Sequence, residues 1–405
     1  MNHIILTSFI PCENDVIDKS KGKPISFANS TFQKALIRGM SNIKGGDDNI
    51  SIINVANIGC YPFNYNSPYY KSDLNYIYDI PTDNMSFINV SYIKHLNIYK
   101  KLVSQLKEML SPEEETTITC YDLYWPFIKA CSTLKQTHSI KLVVIVPDIP
   151  DLTGTPDSAL YKLYFSLPQN NVYDYLHDID GYILLTESMK HILNIGTTPY
   201  MIMEGIFDRS NVTNIGWTGI TLDKDKFNIL YTGALSTRNG LEKLVESVIE
   251  IKDMPMDICL NICGAGELSR YMEEKSANNP RIKYWGQLPR DKVIDMQHQA
   301  SLLINPRNQD EEFAKYSFPS KTMEYMASGT PVLMYRLKTL PAEYEPYLFF
   351  IDSEHKDGLK YSIERIMKMS MSERQKLGSS AKDFILKEKN ETAQAKRVFH
   401  FINNI

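Results

Sequence analysis

The sequence predicts an α/β protein of two doubly wound parallel-sheet domains facing each other across a cleft. Apolar runs of strand length alternate with helical stretches along most of the chain, the pattern of parallel sheets covered on both faces. The 405 residues are too many for one ordinary core. The alternation breaks at 208–225 into Asn, Thr, Gly and charge before it restarts, as expected of a linker. The boundaries are therefore a first domain over 1–210, a second over 211–385 and a C-terminal helix over 386–405, free to pack back on the first domain.

In the first half, strands are predicted at 3–9, 50–58, 117–121, 141–147, 180–186 and 200–204, with helices at 27–40, 92–110, 123–134 and 187–193. Residues 59–90 are rich in Tyr, Asn, Ser and Pro and read as a long irregular insert, which in a compact domain is usually functional or mobile. The second half predicts strands at 227–233, 257–263, 281–285, 300–304, 331–335 and 348–351. Helices are predicted at 240–252, 267–275, 290–299, 319–328, 358–369 and 372–405.

Hydrophobic content of 43% and 23% charged residues are ordinary for a soluble protein, and the net charge of -4 argues against a nucleic-acid binder working by bulk electrostatics. No apolar run reaches the length of a spanning helix, and the first ten residues lack the basic head and cleavage site of a signal peptide. The chain is expected to be cytoplasmic. Contact with the inner face of a membrane is left open by two modest basic stretches, 20–23 and 100–107, whose default is a solvated face. The six cysteines and eight histidines form no Cys-x-x-Cys pair and no metal-spaced set, so neither a structural zinc nor a disulfide framework is expected.

The segment richest in chemistry runs from Tyr316 to Leu333. Pro319 suits the first turn of a helix, and Ser317 or Ser320 can cap its orphan amides. Those amides, the positive dipole end and the charge of Lys321 favour a phosphate. Glu324, one turn further in, is placed to accept hydrogen bonds from the hydroxyls of an attached sugar. A surface helix with a capping proline reads the same residues without a ligand. Three further strand ends add to the pattern. Gly233 and Gly240 flank Arg238 at a helix entrance, where a guanidinium can clamp a diphosphate or stand solvated. Gly264-Ala-Gly266 lacks the third glycine of the dinucleotide fingerprint, which counts against a nicotinamide enzyme. Trp285-Gly-Gln287 offers an aromatic face to a nucleobase or edges a core, and Asn305-Pro-Arg307 brings another cation. Three cations after three strands of one domain point to an anionic ligand.

These motifs resemble the retaining glycosyltransferases of family 4, with the two-domain GT-B fold, in a branch found in bacterial polysaccharide biosynthesis. The resemblance rests on Tyr231-Thr-Gly-Ala-Leu-Ser-Thr-Arg-Asn-Gly240, Ile262-Cys-Gly-Ala-Gly266, Trp285-Gly-Gln-Leu288, Asn305-Pro-Arg307 and Ser317-Phe-Pro-Ser-Lys-Thr-Met-Glu-Tyr-Met-Ala-Ser-Gly-Thr-Pro-Val-Leu333. Less specific matches are 147–152, 180–189 and 204–208. It implies a metal-independent hexosyltransferase that needs no cofactor. Such an enzyme moves a sugar from a nucleotide diphosphate donor to a hydroxyl of a saccharide or lipid-linked oligosaccharide.

Under that resemblance Glu324 binds the donor ribose, the amides around Ser320 and Lys321 hold the phosphates, and Arg238 stabilises the leaving diphosphate. The donor set also takes in Gly233, Leu235, Ser236, Asn239 and Gly240 from the first loop, Gly264 and Gly266 from the second, and Trp285 and Gln287 from the third. Asn305, Arg307, Tyr316, Phe318 and Pro319 complete it. Two departures stand out. Tyr316 occupies the place of the family's first motif glutamate, a lack that Asp310, Glu311 or Glu312 could make good. Ala234 and Asn239 occupy the places of its usual cations. Acceptor candidates in the first domain are Asn29, Asp148 and Asp151, the two aspartates being equally turn formers around Pro147 and Pro150. The alternatives are a nucleotide-sugar epimerase on the same fold and a non-catalytic partner of a related transferase.

Overall fold

A computed structural model describes residues 2–21, 27–45, 48–91, 93–149, 171–211, 218–307, 318–355 and 357–405. The chain divides into two compact units, Met1–Ile206 with Asn390–Ile405, and Phe207–Lys389.

The first unit is built on an eight-stranded sheet of order β10-β9-β8-β7-β1-β2-β5-β4. Its strands are β1 (Asn2–Thr7), β2 (Asn49–Asn54), β4 (Tyr76–Ile77), β5 (Ile80–Asn84), β7 (Thr116–Tyr121), β8 (Ile140–Val146), β9 (Gly181–Leu184) and β10 (Tyr200–Ile202). The pairings are parallel except β4 against β5. The central runs read as continuous apolar sequence, as in Ile140–Val146 with only Lys141 not fully buried, because both faces of a parallel sheet are covered. On one face lie Phe27–Ile43 and the terminal helix Glu391–Asn403, closing a core of Ile5, Phe9, Leu36, Val143, Val398 and Ile402. A Cβ on Gly39 would stand 2.0 Å from the Glu391 carbonyl oxygen, so those helices approach as closely as their backbones allow. Ile93–Met109 and Trp125–Lys135 cover the other face.

Two expectations change here. The insert at 59–90 is not irregular throughout: it carries β3 (Tyr69–Tyr70), paired antiparallel with β6 (Phe87–Ile88), and it supplies β5 to the main sheet. Ile80, Thr82 and Asn84 are buried while Pro81 and Asp83 face out, a period of two masked by polar residue types. The helix expected over 372–405 is two helices, Met371–Glu388 and Glu391–Asn403. The Asn390 side chain accepts from the amides of Thr392 and Ala393 at 2.9 Å each, an N-cap that restarts the helix.

The second unit holds a six-stranded parallel sheet of order β13-β12-β11-β14-β15-β16. The strands are β11 (Lys226–Thr232), β12 (Asp257–Cys263), β13 (Ile282–Tyr284), β14 (Leu302–Asn305), β15 (Val332–Met334) and β16 (Phe349–Phe350). Leu241–Glu250 and Gly358–Lys368 cover one face, burying Leu241, Leu244, Val248, Leu359 and Ile363. Arg290–Gln299, Ser320–Ser328 and Met371–Glu388 contribute Met296, Met323, Met326 and Ile385 to a second core. This arrangement brings the loops after β11, β12, β13 and β14 to the carboxyl edge of one sheet, where doubly wound sheets bind ligands.

Candidate active site

The loop after β11 and the loop after β12 are pressed backbone to backbone. The Gly233 amide donates to the Cys263 carbonyl at 2.9 Å, and the Leu235 amide to that of Ala265 at 3.0 Å. A Cβ on Gly264, with φ 146°, would fall 1.8 Å from the Gly233 carbonyl oxygen. Glycine is thus required by both backbone angle and space. The same crowding reaches the helix that carries Lys321: a Cβ on Gly233 would lie 3.0 Å from Lys321 Cε and 3.3 Å from Nζ.

A pocket of about 270 Å³ opens at this point, lined by Thr232–Ala234, Cys263–Ala265, Gln287, Leu288, Val293 and Lys321. Among the described residues, Lys321 is its one charged lining residue. Much of the Lys321 surface is exposed, yet protein packed around it withdraws enough water to lower its pKa, against the opposing pull of Glu324. The ammonium end is the part set against Gly233, 3.3 Å from where a Cβ there would stand. A partly desolvated cation above glycine backbone is a strong anion receptor.

Helix Ser320–Ser328 is fixed by a residue that sequence reasoning missed. Tyr325 is buried, and its hydroxyl accepts from the Thr232 amide at 2.8 Å and donates to the Thr232 carbonyl at 3.1 Å. Among the described residues the helix carries no side-chain capping bond; Pro319 stands at its start and accepts from the Thr322 amide at 2.8 Å. Ser320 is exposed and uses its own amide on the Phe318 carbonyl. Serine capping by Ser320, expected from the sequence, is therefore replaced by a proline turn, and Ser317 lies outside the described residues.

One turn on, Glu324 is half-buried. Gln297, itself buried, donates to Oε1 at 2.7 Å, and Arg290 stands 4.0 Å from Oε2. Gln297 thus sets the carboxylate plane and Arg290 sits beside its second oxygen. Neither residue was foreseen, because the i to i+3 and i+4 signals along one helix say nothing about a neighbour 27 positions away.

The remaining candidates fall into distinct places. Arg238 is exposed on the turn Thr237–Asn239. That turn is clamped from the next loop by Glu267, whose Oε1 accepts from the Ser236 hydroxyl, the Thr237 amide and the Thr237 hydroxyl at 3.0, 2.7 and 3.0 Å. Those bonds, with Arg238 contributing last, hold the Glu267 pKa below its ordinary value. Asn239 donates to the Ala234 carbonyl at 2.9 Å, shaping the loop. Gly240 takes φ 70°, and the Pro306 carbonyl fills the space a Cβ would need at 2.5 Å. Asn305 reaches Thr322 at 3.4 Å, and Arg307 is buried. Leu235 and Phe318 are core side chains, the latter against Tyr344 with ring centroids 5.5 Å apart. Gly266 packs on the Leu235 carbonyl. Trp285 donates to Asn261 at 3.0 Å and has Lys283 Nζ 3.9 Å from its ring centroid, so its indole edge serves the sheet.

In the first unit Asn29 is half-buried near the start of its helix, and Asp148 is exposed at the end of β8. Tyr316, Asp151, Asp310, Glu311 and Glu312 lie outside the described residues. Among the described residues no group of three His, Cys, Asp or Glu is arranged to hold a metal ion, and no helix is long and apolar enough to cross a membrane.

Residues 219–384 match the family described as glycosyl transferases group 1, a span that contains every loop of this pocket. Solved structures resemble the whole chain. Sucrose-phosphate synthase from Thermosynechococcus elongatus is 14% identical with a TM-score of 0.60, over 100% of this chain and 98% of that one. The apo lipopolysaccharide outer core galactosyltransferase WaaB is 13% identical with a TM-score of 0.63, over 100% and 99%. The α,α-trehalose-phosphate synthase (UDP-forming) from Burkholderia vietnamiensis is 11% identical with a TM-score of 0.60, over 100% of both chains. No curated protein matches the sequence. The fold is GT-B, and the match of the second unit supports a glycosyltransferase.

Proposed function

We propose that the chain is a retaining glycosyltransferase of the family-4 type. It moves a hexose-type sugar from a nucleotide diphosphate donor to a hydroxyl of a saccharide or lipid-linked oligosaccharide, without a metal or other cofactor. The observation that carries this reading is the placement of Lys321 against Gly233, itself pressed on Gly264, in a pocket at the carboxyl edge of the second sheet. The diphosphate binds against those backbones, with Lys321 and the exposed Arg238 neutralising charge that builds on the leaving phosphate. Glu324, oriented by Gln297, accepts the ribose hydroxyls. The departing phosphate oxygen takes the acceptor proton while the acceptor attacks from the same face, so catalysis is positioning plus charge stabilisation. The acceptor lies on the first unit, where Asn29, Asp148 and Asp151 are its candidates. The enzyme works in the cytoplasm, at the inner face of the membrane when the acceptor is lipid-linked.

Calorimetry with UDP, ADP, GDP, TDP and CDP tests the donor site. One of them should bind the purified chain, and Glu324→Ala and Lys321→Ala should each weaken that binding by about tenfold or more, the loss of a charged hydrogen bond. No binding of any nucleotide diphosphate overturns the assignment and favours a non-catalytic partner, and full affinity in both variants returns Glu324 and Lys321 to structural roles.

A further inference from the structure

The carboxyl ends of the central strands of the first unit carry polar groups that the donor chemistry does not use. β7 and β8 run parallel with Tyr121 opposite Ile145, and the Asp122 amide continues the ladder to the Ile145 carbonyl at 2.9 Å. Asp122 and Asp148 therefore leave adjacent strands at the same edge of the sheet, the edge at which such sheets bind ligands. Asp122 holds φ at 80°, left-handed backbone that disfavours L residues and that Asp tolerates better than most. Strained backbone of this kind collects at binding sites.

Tyr121 supplies an independent observation. It is 2% exposed, its ring sits 5.6 Å from that of Phe32, and its hydroxyl has no hydrogen-bond partner among the described residues. Buried hydroxyls are almost always paired, so an orphan at a sheet edge calls for an explanation. The hydroxyl lies within electrostatic reach of both aspartates: burial first, then Asp122 and Asp148, holds its pKa well above the ordinary phenol value. Burial, ahead of the charge of Asp148, likewise pushes Asp122 up to about 6. Phe32 belongs to the helix that carries Asn29 one turn earlier. Gln33 of that helix accepts from the Ser8 amide at 2.7 Å, pinning the helix start to the end of β1.

The ligand class follows from the donor balance. Two carboxylates are acceptors, the phenol can donate or accept, and the described residues hold no third metal ligand beside them. A neutral polyol brings several hydroxyl donors to two carboxylates and a buried phenol without adding a further charge beside them. We propose that Tyr121, Asp122 and Asp148 form a hydroxyl-binding subsite for a sugar, the acceptor saccharide of the glycosyltransferase reading on which this inference rests.

Saturation-transfer NMR with the methyl α-glycosides of glucose, galactose, mannose and N-acetylglucosamine reads the subsite without any turnover. At least one should bind the full chain at millimolar concentration. Asp122→Asn and Asp148→Asn should each weaken it about tenfold, and Tyr121→Phe by a smaller factor, about threefold to tenfold. Tyr121→Phe removes only an oxygen without a partner, so it keeps the fold and decides the matter where an aspartate variant fails to fold. Absence of any glycoside signal from the wild type, or equal signals from wild type and Tyr121→Phe, overturns the subsite. Calorimetry of the nucleotide diphosphate separates the two readings, since its loss in the wild type would sink the transferase and its retention alongside a silent NMR result would sink only the subsite.

Discussion

Replacing Tyr325 by Phe removes one oxygen from the interior of the second unit. That oxygen accepts from the Thr232 amide at 2.8 Å and donates to the Thr232 carbonyl at 3.1 Å, with the Thr232 hydroxyl also at 3.1 Å. Thr232 and Tyr325 are 2% and 1% exposed, so water cannot take over. The last residue of β11 lies beyond the point where β14 pairs, at Ile229 and Leu230, and the phenol stands in for the missing strand. A buried amide left unpaired costs about 1–3 kcal/mol, and the orphaned carbonyl adds to it, for a total of roughly 2–3 kcal/mol. At about 2–4 °C per kcal/mol for a unit of this size, the Tm should fall by roughly 4–12 °C. Thr232→Val is the control: it removes the hydroxyl but leaves the amide bonded, and should cost about 1 kcal/mol or less. Differential scanning calorimetry on both variants checks the ranking. A Tyr325→Phe protein as stable as Thr232→Val would refute the claim that this phenol completes the sheet edge and anchors the helix bearing Lys321 and Glu324.

Asp122 should make the first unit less stable as pH rises. Its folded pKa of about 6 lies above the ordinary 3.8, so the native state binds the proton more tightly and stability falls between about pH 4 and 6 and stays lower above it. The shift sets a ceiling of about 3 kcal/mol, and a half-buried carboxyl should show about 1–2 kcal/mol. Urea unfolding of Asp122→Asn should lack that decline, and an unchanged pH slope would remove Asp122 as its source. In the transfer reaction, Arg238→Ala should lower kcat by about 10²–10³-fold, as for loss of one preorganised donor. Turnover should survive EDTA and the product should keep the donor's anomeric configuration. Near-normal kcat in Arg238→Ala, loss with EDTA restored by Mg²⁺, or an inverted anomeric proton coupling each contradicts the part of the mechanism it reads.

The fold was legible because its strands are buried on both faces. Runs such as Ile140–Val146 and Asp257–Cys263 announce themselves by composition alone. Where burial alternates, the signal faded: Ile80–Asn84 sits in the sheet, but its sequence of Ile, Pro, Thr, Asp and Asn imitates a loop. The break at Asn390 needed its side chain bound to two amides, something a helical period cannot show.

For the site, glycines and cations were visible and their supports were not. Gly233 and Gly264 declare a close approach, yet only the fold shows that they approach each other. Glu267 follows a Gly-x-Gly pair and could have been read as its counterpart at the neighbouring turn, since an acidic residue beside free hydroxyls and amides seeks such donors. Gln297 and Tyr325 carried no local signal, being defined by partners far away in sequence. The same holds for the cations. Ala234 and Asn239 stand where the resemblance expects charge, and Asn239 bonds the Ala234 carbonyl, so the first loop is shaped by hydrogen bonding within itself. Among the described lining residues, charge comes from the opposite wall, where Lys321 lies against Gly233 on a helix that Tyr325 fixes to the end of β11. A cation on a braced helix has less reach than one on a loop but is more rigid, which under the proposed transfer suits Lys321 to charge that develops only as a bond breaks.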